Sequence, residues 1–200
     1  MLAISSPTLV DRTADLARLQ AAWQEVVAGR PRLLVLAGEA GIGKSRLLHE
    51  FALGVVDQGG RSVTGACMQL GEMPLAFLPV AEIVRRLARS GDAAAATALD
   101  PSRRELAALV PGLVDGAATD ELATADLSGP AARSRLFEAI LGLLQRLTDE
   151  RPLLVAVEDA HWSDAATRDL ITFLSRNLDA ERLLLLLTVR TDDMSRSHPV

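Results

Sequence analysis

The sequence predicts an α/β protein in which a parallel sheet is covered by helices on both faces. Its strands are continuous apolar runs, "LLVLA" at 33–37, "LLVAV" at 153–157 and "LLLLLTV" at 183–189, whereas strands with one wet face alternate apolar and polar residues. Segments with apolar residues at helical spacing separate these runs, which is typical of α/β folds. With 49% hydrophobic residues among 200, the chain has ample material for a packed core.

The first half of the chain predicts three helices and two strands. A helix is expected over 14–28, a strand over 33–37, and a second helix over about 44–57, after a glycine-rich loop. A short strand follows within "GGRSVTGACM" at 59–68, and a third helix is expected over about 80–90. The apolar face of the first helix consists of Leu16, Leu19, Trp23, Val26 and Val27, and that of the second helix of Leu47, Leu48, Phe51 and Val55.

The second half begins with weaker signals. Alanine, aspartate and glycine dominate residues 91–132, which predict either short helices or a mobile insert. A strong apolar face then predicts a helix over about 133–149, and Pro152 opens the strand "LLVAV". A further helix is expected over about 165–178, and the last apolar strand ends on Arg190.

Charge and composition exclude several classes of protein. The formal net charge is -5 and no dense run of lysine or arginine occurs, so this stretch has no electrostatic footprint for nucleic acid. Cys67 is the only cysteine, which excludes an internal disulfide and makes a reducing cytoplasm the expected compartment. The start of the chain lacks the features of a secretion signal, and no apolar run approaches the roughly 20 residues of a membrane-spanning helix.

The stretch "GEAGIGKSRL" at 38–47 matches the phosphate-loop spacing GxxxxGK(S/T), between a predicted strand and a predicted helix. Glycines let successive N–H groups point into one concavity, to which the helix N-terminus adds its partial positive charge. Lys44 is expected to contact the β and γ phosphates of a nucleotide, and Ser45 to hold Mg²⁺. The alternative is a glycine-rich turn with a solvated lysine. The expected phosphate contacts are Gly38, Glu39, Ala40, Gly41, Ile42, Gly43, Lys44, Ser45 and Arg46.

Two acids, Glu158 and Asp159, follow the strand "LLVAV" at the end where ligands bind in open α/β sheets. Adjacent residues on a strand point to opposite faces, so the two acids are expected to differ in role. We assign Glu158 to the metal, together with Ser45, and Asp159 to the activation of water, and the sequence leaves the reverse assignment open. The alternative is a solvated strand end.

Arg190 ends another apolar strand, where a guanidinium group is expected to reach the γ-phosphate. The alternative for this residue is a surface ion pair with Asp192 or Asp193. Thr188, two residues earlier, is a further candidate contact of the site.

Together these motifs resemble the ATPase module of the STAND group, the signal-transduction branch of the P-loop ATPases related to AAA+ proteins. The likeness is to the module of large LuxR-type transcriptional regulators and covers nearly the whole chain except about 91–132. It rests on the phosphate loop "GEAGIGKSRL", the acidic strand in "PLLVAVEDAHWSDAATRDLITFLSRNL" and the arginine strand "LLLLLTVR", with "EDAHWSD" as the most diagnostic part. It implies a three-layer P-loop NTPase fold with strand order 5-1-4-3-2, and ATP or ADP with Mg²⁺ as cofactors.

The resemblance also implies a domain organisation. Residues 1–30 would form an adenine-side segment and helix, and residues 31–200 an ATPase core with a helical insert at about 91–132. In the family a fifth strand, a helical lid, superhelical repeats and often a helix-turn-helix follow the core. None of these follows Val200, so we expect the chain to resemble an N-terminal fragment or an unusually short relative.

The adenine is wrapped, in the family, by a segment of pattern hhGRExEL. Residues 9–16 keep its arginine and hydrophobic positions but carry Asp11 in place of the glycine and Thr13 in place of the glutamate. Val10 and Arg12 are therefore the expected base contacts, with an ordinary loop before the first helix as the alternative.

The function that the resemblance implies is a regulatory ATP switch. ATP would favour one conformation, and slow Mg²⁺-dependent hydrolysis or nucleotide exchange would reset it. An effector region beyond Val200 would respond to the change. DNA would be contacted only through a missing C-terminal domain, and nucleotide-dependent self-association is a further expectation. Two other functions use the same loop. One is a metabolic phosphotransferase, with an acceptor pocket and lid from residues 67–79 or the insert, and the other is an ATP-binding scaffold with little hydrolysis.

Overall fold

A four-stranded parallel sheet organises the part of the chain that the structure, a computed structural model, describes, namely residues 12–68, 76–110, 112–114 and 129–192. Its strands are β1 (Arg32–Gly38), β2 (Arg61–Ala66), β3 (Leu153–Glu158) and β4 (Leu183–Arg190). They lie in the order β1-β4-β3-β2, and β4 pairs with β1 on one side and β3 on the other. The arginine strand therefore separates the phosphate-loop strand from the acidic strand, and the expected order of these four strands is confirmed.

Each helix whose bounds were predicted begins and ends within three residues of its predicted position. The longest starts at Pro130, because proline is tolerated in the first turn, where its missing N–H is not needed. Val27, predicted on the apolar face of the first helix, is exposed. None of the helices in the described ranges is long and apolar enough to cross a membrane. In chain order they are α1 (Thr13–Val27), α2 (Lys44–Asp57), α3 (Leu78–Arg89), α4 (Ala93–Leu99), α5 (Arg103–Leu106), α6 (Pro130–Glu150) and α7 (Ala165–Asn177), with short 3₁₀ turns at Asp100–Ser102 and Ala160–Trp162.

Alternate residues of the central strands face two different helical layers. On β4, Leu184 and Leu186 pack in one core with Trp23 of α1 and the apolar face of α2. Leu183 and Leu185 belong to the other core, which α3, α4, α6 and α7 complete. Residues of β3 alternate between the same two cores. The sheet is therefore the middle of three layers, as the continuous apolar strands predicted.

β1 differs from the central strands because one of its faces lies open. Leu34 packs toward α1 and α2, but Leu33 and Val35 are 43% and 53% exposed. Their register partners on β4, Leu185 and Leu187, are buried, so the described helices on this side cover β4 and leave β1 exposed. Helices on both faces therefore cover β3 and β4, whereas β1 has one covered face among the described residues.

Residues 91–132, predicted as short helices or a mobile insert, contain α4 and α5 among their described positions. Leu106 is fully buried in the same core as α6. The start of α4 is tied to the sheet, because the Asp92 carboxylate accepts hydrogen bonds from Arg61 of β2 at 2.8 Å and from Arg151 at 2.9 Å. The Arg61 guanidinium also holds the pKa of the Asp92 carboxyl below its ordinary value.

Gly65 of β2 lies directly against the backbone of α3. A Cβ atom there would lie 2.1 Å from the carbonyl oxygen of Pro79 in α3, so a larger residue requires the backbone to move. We expect Gly65→Ala to lower the free energy of unfolding by about 2 kcal/mol, since overpacking has a cost of this order. Urea denaturation followed by circular dichroism measures the change.

The matched control for that substitution is Gly54→Ala in α2, where a Cβ atom meets nothing within 4 Å. Alanine should raise the free energy of unfolding there by about 0.5 to 1 kcal/mol, because it is the better helix former. Equal stability of the two variants would contradict the close packing of α3 on β2.

Candidate functional site

The phosphate loop, which joins β1 to α2, curls around the amine of Lys44. Gly41 and Gly43 have φ of +75° and +89°, in the left-handed region that glycine adopts without strain. Lys44 is 7% exposed. Its Nζ donates hydrogen bonds to the carbonyl oxygens of Gly38 at 2.7 Å and Glu39 at 2.8 Å. Lys44 is also the only lysine among the 200 residues, so the loop encloses the sole lysine ammonium group of the chain.

The loop also holds a carboxylate from a distant part of the chain. The backbone N–H of Ala40 donates to the Asp192 carboxylate at 2.9 Å. Nearby, the N–H of Thr191 donates to the carbonyl oxygen of Gly38 at 3.2 Å. An amide of this loop therefore binds an anionic oxygen, which is the chemistry that a phosphate site requires.

Of the two predicted acids, Glu158 ends β3 and Asp159 lies beyond it. Asp159 has φ of +51°, a left-handed conformation that aspartate tolerates better than most residues. Its backbone N–H donates to the hydroxyl oxygen of Thr188 on β4 at 3.0 Å. The alternation of side chains along a strand does not apply to this pair, because the chain leaves the strand at Asp159. That premise for giving the acids different roles was wrong.

Arg190, the last residue of β4, contacts the segment that follows β3. Its Nε lies 3.4 Å from Oδ1 of Asp159, and its guanidinium carbon lies 4.7 Å from the centroid of the Trp162 ring. Its backbone N–H donates to Nδ1 of the buried His161 at 3.4 Å. The structure therefore pairs Arg190 with Asp159, whereas Asp192, its predicted alternative partner, contacts the phosphate loop.

The phosphate loop and the acids lie at the same edge of the sheet, which we call the carboxyl edge because β1, β3 and β4 run parallel and end there. Residues 190–192 connect the two parts. Arg190 contacts Asp159 on one side, and Thr191 and Asp192 contact the loop on the other.

Two contacts at this edge were missed by the sequence analysis, those of Trp162 and Asp192. For Trp162 a signal existed, because an aromatic residue shortly after the acids can stack on an arginine that ends a neighbouring strand. For Asp192 no local signal existed. Its hydrogen bond to Ala40 joins residues 152 positions apart and depends on the strand order.

Arg12, predicted as a base contact, lies against the phosphate loop. Its Nη2 donates to the carbonyl oxygen of Ile42 at 2.8 Å, and its Nη1 pairs with Asp15 of α1 at 3.3 Å. The guanidinium thus connects α1 to the loop. Val10, the other predicted base contact, and Asp193 lie outside the described residues.

The predicted metal ligands are Ser45, which is exposed in the first turn of α2, and the half-buried Glu158. Arg46 follows Ser45 and is half-buried. Within residues 12–68, 76–110, 112–114 and 129–192, no three His, Cys, Asp or Glu side chains group together as candidate metal ligands.

Nearly the whole chain is similar to known proteins. Residues 8–187 match a family model described as an AAA ATPase domain, a range that includes the phosphate loop and both acids and ends within β4. The chain is also similar to an uncharacterized protein of Rhizobium meliloti (strain 1021), with 28% identity over 195 residues. That alignment covers 91% of this chain and 18% of the relative, so the chain spans less than a fifth of the relative's length.

Cys67 lies beside the acids, because its backbone N–H donates to the carbonyl oxygen of Glu158 at 2.8 Å. Burial raises the pKa of its thiol to about 12, and the charges of Asp164 and Asp159 act in the same direction. In an unfolded chain a cysteine thiol titrates near pH 8.5. The folded protein thus keeps this proton over a range in which the unfolded chain loses it.

We expect the free energy of unfolding to fall as the pH rises from about 9 to about 12, because the unfolded chain loses the Cys67 proton first and is stabilised relative to the fold. The chain has no tyrosine and a single lysine, so few other side chains titrate in this pH range. Urea denaturation at several pH values should show a smaller fall for Cys67→Ala than for the unmodified chain. Identical slopes would contradict the raised pKa.

Proposed function

Because the chain belongs to the AAA ATPase domain family, we propose that it binds ATP and ADP with Mg²⁺ and acts as a nucleotide-dependent switch of the STAND type. The observation that carries this proposal is the phosphate loop itself. It encloses the only lysine of the chain and already binds an anionic oxygen through the Ala40 amide. The two acids at the end of β3 lie at the same edge of the sheet.

Phosphate binding would begin with an exchange of partners at Lys44. Its Nζ now donates to two loop carbonyl oxygens, which carry partial negative charge. A phosphate oxygen carries more charge and is the stronger acceptor, so the ammonium group gains by turning toward it. The amides in the first turn of α2 would add further donors, and the positive end of the helix dipole would add to the attraction.

Mg²⁺ would be held by oxygen ligands from Ser45 and Glu158 together with phosphate oxygens. A hydroxyl and a carboxylate are ligands that this hard cation prefers. When bound, the ion neutralises charge on the phosphates. The half-buried position of Glu158 supports this role, because an acid at a strand end reaches the bound ion without becoming fully desolvated.

Asp159 and Arg190 would respond to the terminal phosphate. They form an ion pair at 3.4 Å. If Arg190 turns toward a γ-phosphate, Asp159 loses its partner and is released to orient a water molecule for attack. One pair of side chains would then both sense the γ-phosphate and prepare its removal, which is the differential contact that a switch needs.

The output of the switch would lie in a region that the chain does not include. The relative from Rhizobium meliloti is much longer than the matched residues. The likeness to LuxR-type regulators suggests a transcriptional output through such a region, in the cytoplasm. Among the described residues β1 is an edge strand of the sheet, which leaves room beside it for the fifth strand that the family places next to the phosphate-loop strand.

The proposal is tested first at Lys44. We expect Lys44→Ala to lower the affinity for Mg²⁺-ATP by more than about tenfold, because it removes the charged donor to the phosphates. Isothermal titration calorimetry measures the affinity, and Arg176→Ala on α7 serves as the control, since it removes one exposed positive charge elsewhere. Unchanged affinity in Lys44→Ala would defeat the assignment.

A chemical readout uses the same residue. Acetylation with an amine-selective reagent can reach only Lys44 and the α-amino group, because the chain has no other lysine. Mg²⁺-ATP should slow the modification of Lys44, measured by mass spectrometry of peptides, and leave that of the α-amino group unchanged.

Asp159→Asn tests the role of the second acid. The variant should still bind Mg²⁺-ATP, but its hydrolysis should slow by about a hundredfold if the carboxylate orients water as a general base. Release of inorganic phosphate measures the rate. Asp169→Asn, which removes an exposed carboxylate on α7 that pairs with Arg133, should hydrolyse ATP at the unmodified rate. Equal rates in the two variants would remove Asp159 from the reaction.

A further inference from the structure

We propose that Asp192 is a specificity-determining residue of this nucleotide site, because its carboxylate occupies the Ala40 amide that a terminal phosphate needs. The inference rests on the proposed function. It adds that the Asp192 carboxylate weakens the binding of nucleoside triphosphates relative to that of nucleoside diphosphates.

Two hydrogen bonds hold Asp192 at the phosphate loop, one to its own carboxylate and one from the residue before it. The backbone N–H of the preceding Thr191 donates to the carbonyl oxygen of Gly38 at 3.2 Å, which continues the pairing of β1 with β4 beyond the strand. The carboxylate then accepts from the Ala40 amide at 2.9 Å. The side chain is therefore held at the phosphate loop by a backbone contact next to it.

Residues 190–192 also identify which phosphate would meet Asp192. Arg190, two positions earlier, pairs with Asp159, the acid proposed to orient water for attack on the terminal phosphate. The first turn of α2 starts at Lys44 and lies at the other end of the loop from Ala40. A nucleotide held by the amides of α2 would therefore place its last phosphate near Ala40 and Asp192.

A γ-phosphate and the Asp192 carboxylate cannot occupy this place together. Both are anionic, and both need the same N–H as a donor. A triphosphate must displace Asp192, which costs the hydrogen bond to Ala40 and brings two negative charges close together. A diphosphate ends before this amide and leaves the contact intact. The cost to the triphosphate is limited because the contact is exposed to water.

The charge pattern of residues 190–192 fits this inference. Arg190 places a positive charge on the acid Asp159, and Asp192 places a negative charge in the phosphate loop. The end of β4 therefore places a negative charge at the loop amide that a phosphate would use, as the inference requires.

The test compares Asp192→Asn with the unmodified 200-residue chain. Asparagine keeps an oxygen acceptor for the Ala40 amide and removes the charge. We expect the affinity for the Mg²⁺ complex of a nonhydrolysable ATP analogue, AMP-PNP, to rise about tenfold, and the affinity for Mg²⁺-ADP to change by less than about twofold. Isothermal titration calorimetry measures both. Asp192→Ala, which removes the acceptor as well, should shift the ratio of the two affinities at least as far.

The control is Asp193→Asn, which removes the same charge one residue later in the sequence. It should change the two affinities equally. A shift of the ratio as large as that of Asp192→Asn would show that general charge, and not the contact with Ala40, is responsible, and would overturn the inference.

Two further outcomes separate this inference from the proposed function. If ADP and AMP-PNP bind but Asp192→Asn leaves their ratio unchanged or weakens AMP-PNP, the inference fails and the nucleotide site stands. If the unmodified chain and the variant bind neither nucleotide, the proposed function fails and takes the inference with it.

Discussion

The pairing of β4 with β1 on one side and β3 on the other is the constraint on which the site depends. Five consecutive leucines give β4 a buried surface on both faces, and its parallel register brings Arg190 level with Gly38, the first residue of the phosphate loop. A slip of one residue in this register would move Arg190 away from Gly38 and turn its side chain to the opposite face of the sheet. The register of β4 therefore sets which charged residues meet at the carboxyl edge.

Electrostatics at this edge follow from where three strands end. Two carboxylates, a guanidinium group and an ammonium group lie at this edge, and each contacts another group of the protein. Asp159 pairs with Arg190, Asp192 binds the Ala40 amide, and Lys44 donates to loop carbonyl oxygens. A nucleotide bound here, as we propose, would have to offer better partners than the protein groups already in contact. Under that proposal, the selectivity of the site would depend on this exchange of partners as well as on the shape of the loop.

The sequence was sufficient to predict most of the fold, because continuous apolar strands and helical periodicity are local signals. The phosphate loop could also be predicted, since its residue spacing and its place between a strand and a helix are both visible in a short stretch of sequence. The contact of Asp192 with Ala40 could not, because no local pattern marks a hydrogen bond between residues 152 positions apart. For Trp162 the aromatic residue after the acids was a signal, but its arginine partner lies on a neighbouring strand. The turn at Asp159 was missed for another reason. Nothing in "VEDAH" distinguishes a strand that continues from one that leaves the sheet with positive φ. The open face of β1 was also invisible, since an apolar run reports hydrophobicity and not which neighbours cover it.

The stacking of Trp162 on Arg190 also gives the molecule an intrinsic optical label. The chain contains two tryptophans and no tyrosine, so its ultraviolet emission comes from two side chains. Trp23 of α1 is fully buried in the core that α1 and α2 form with the sheet, away from the carboxyl-edge contacts. Trp162 lies at the carboxyl edge, with a guanidinium group over its ring and His161 beside it. A rearrangement of Arg190 changes the electric field at the Trp162 indole. The wavelength and yield of tryptophan fluorescence would then report the state of the site without an added dye.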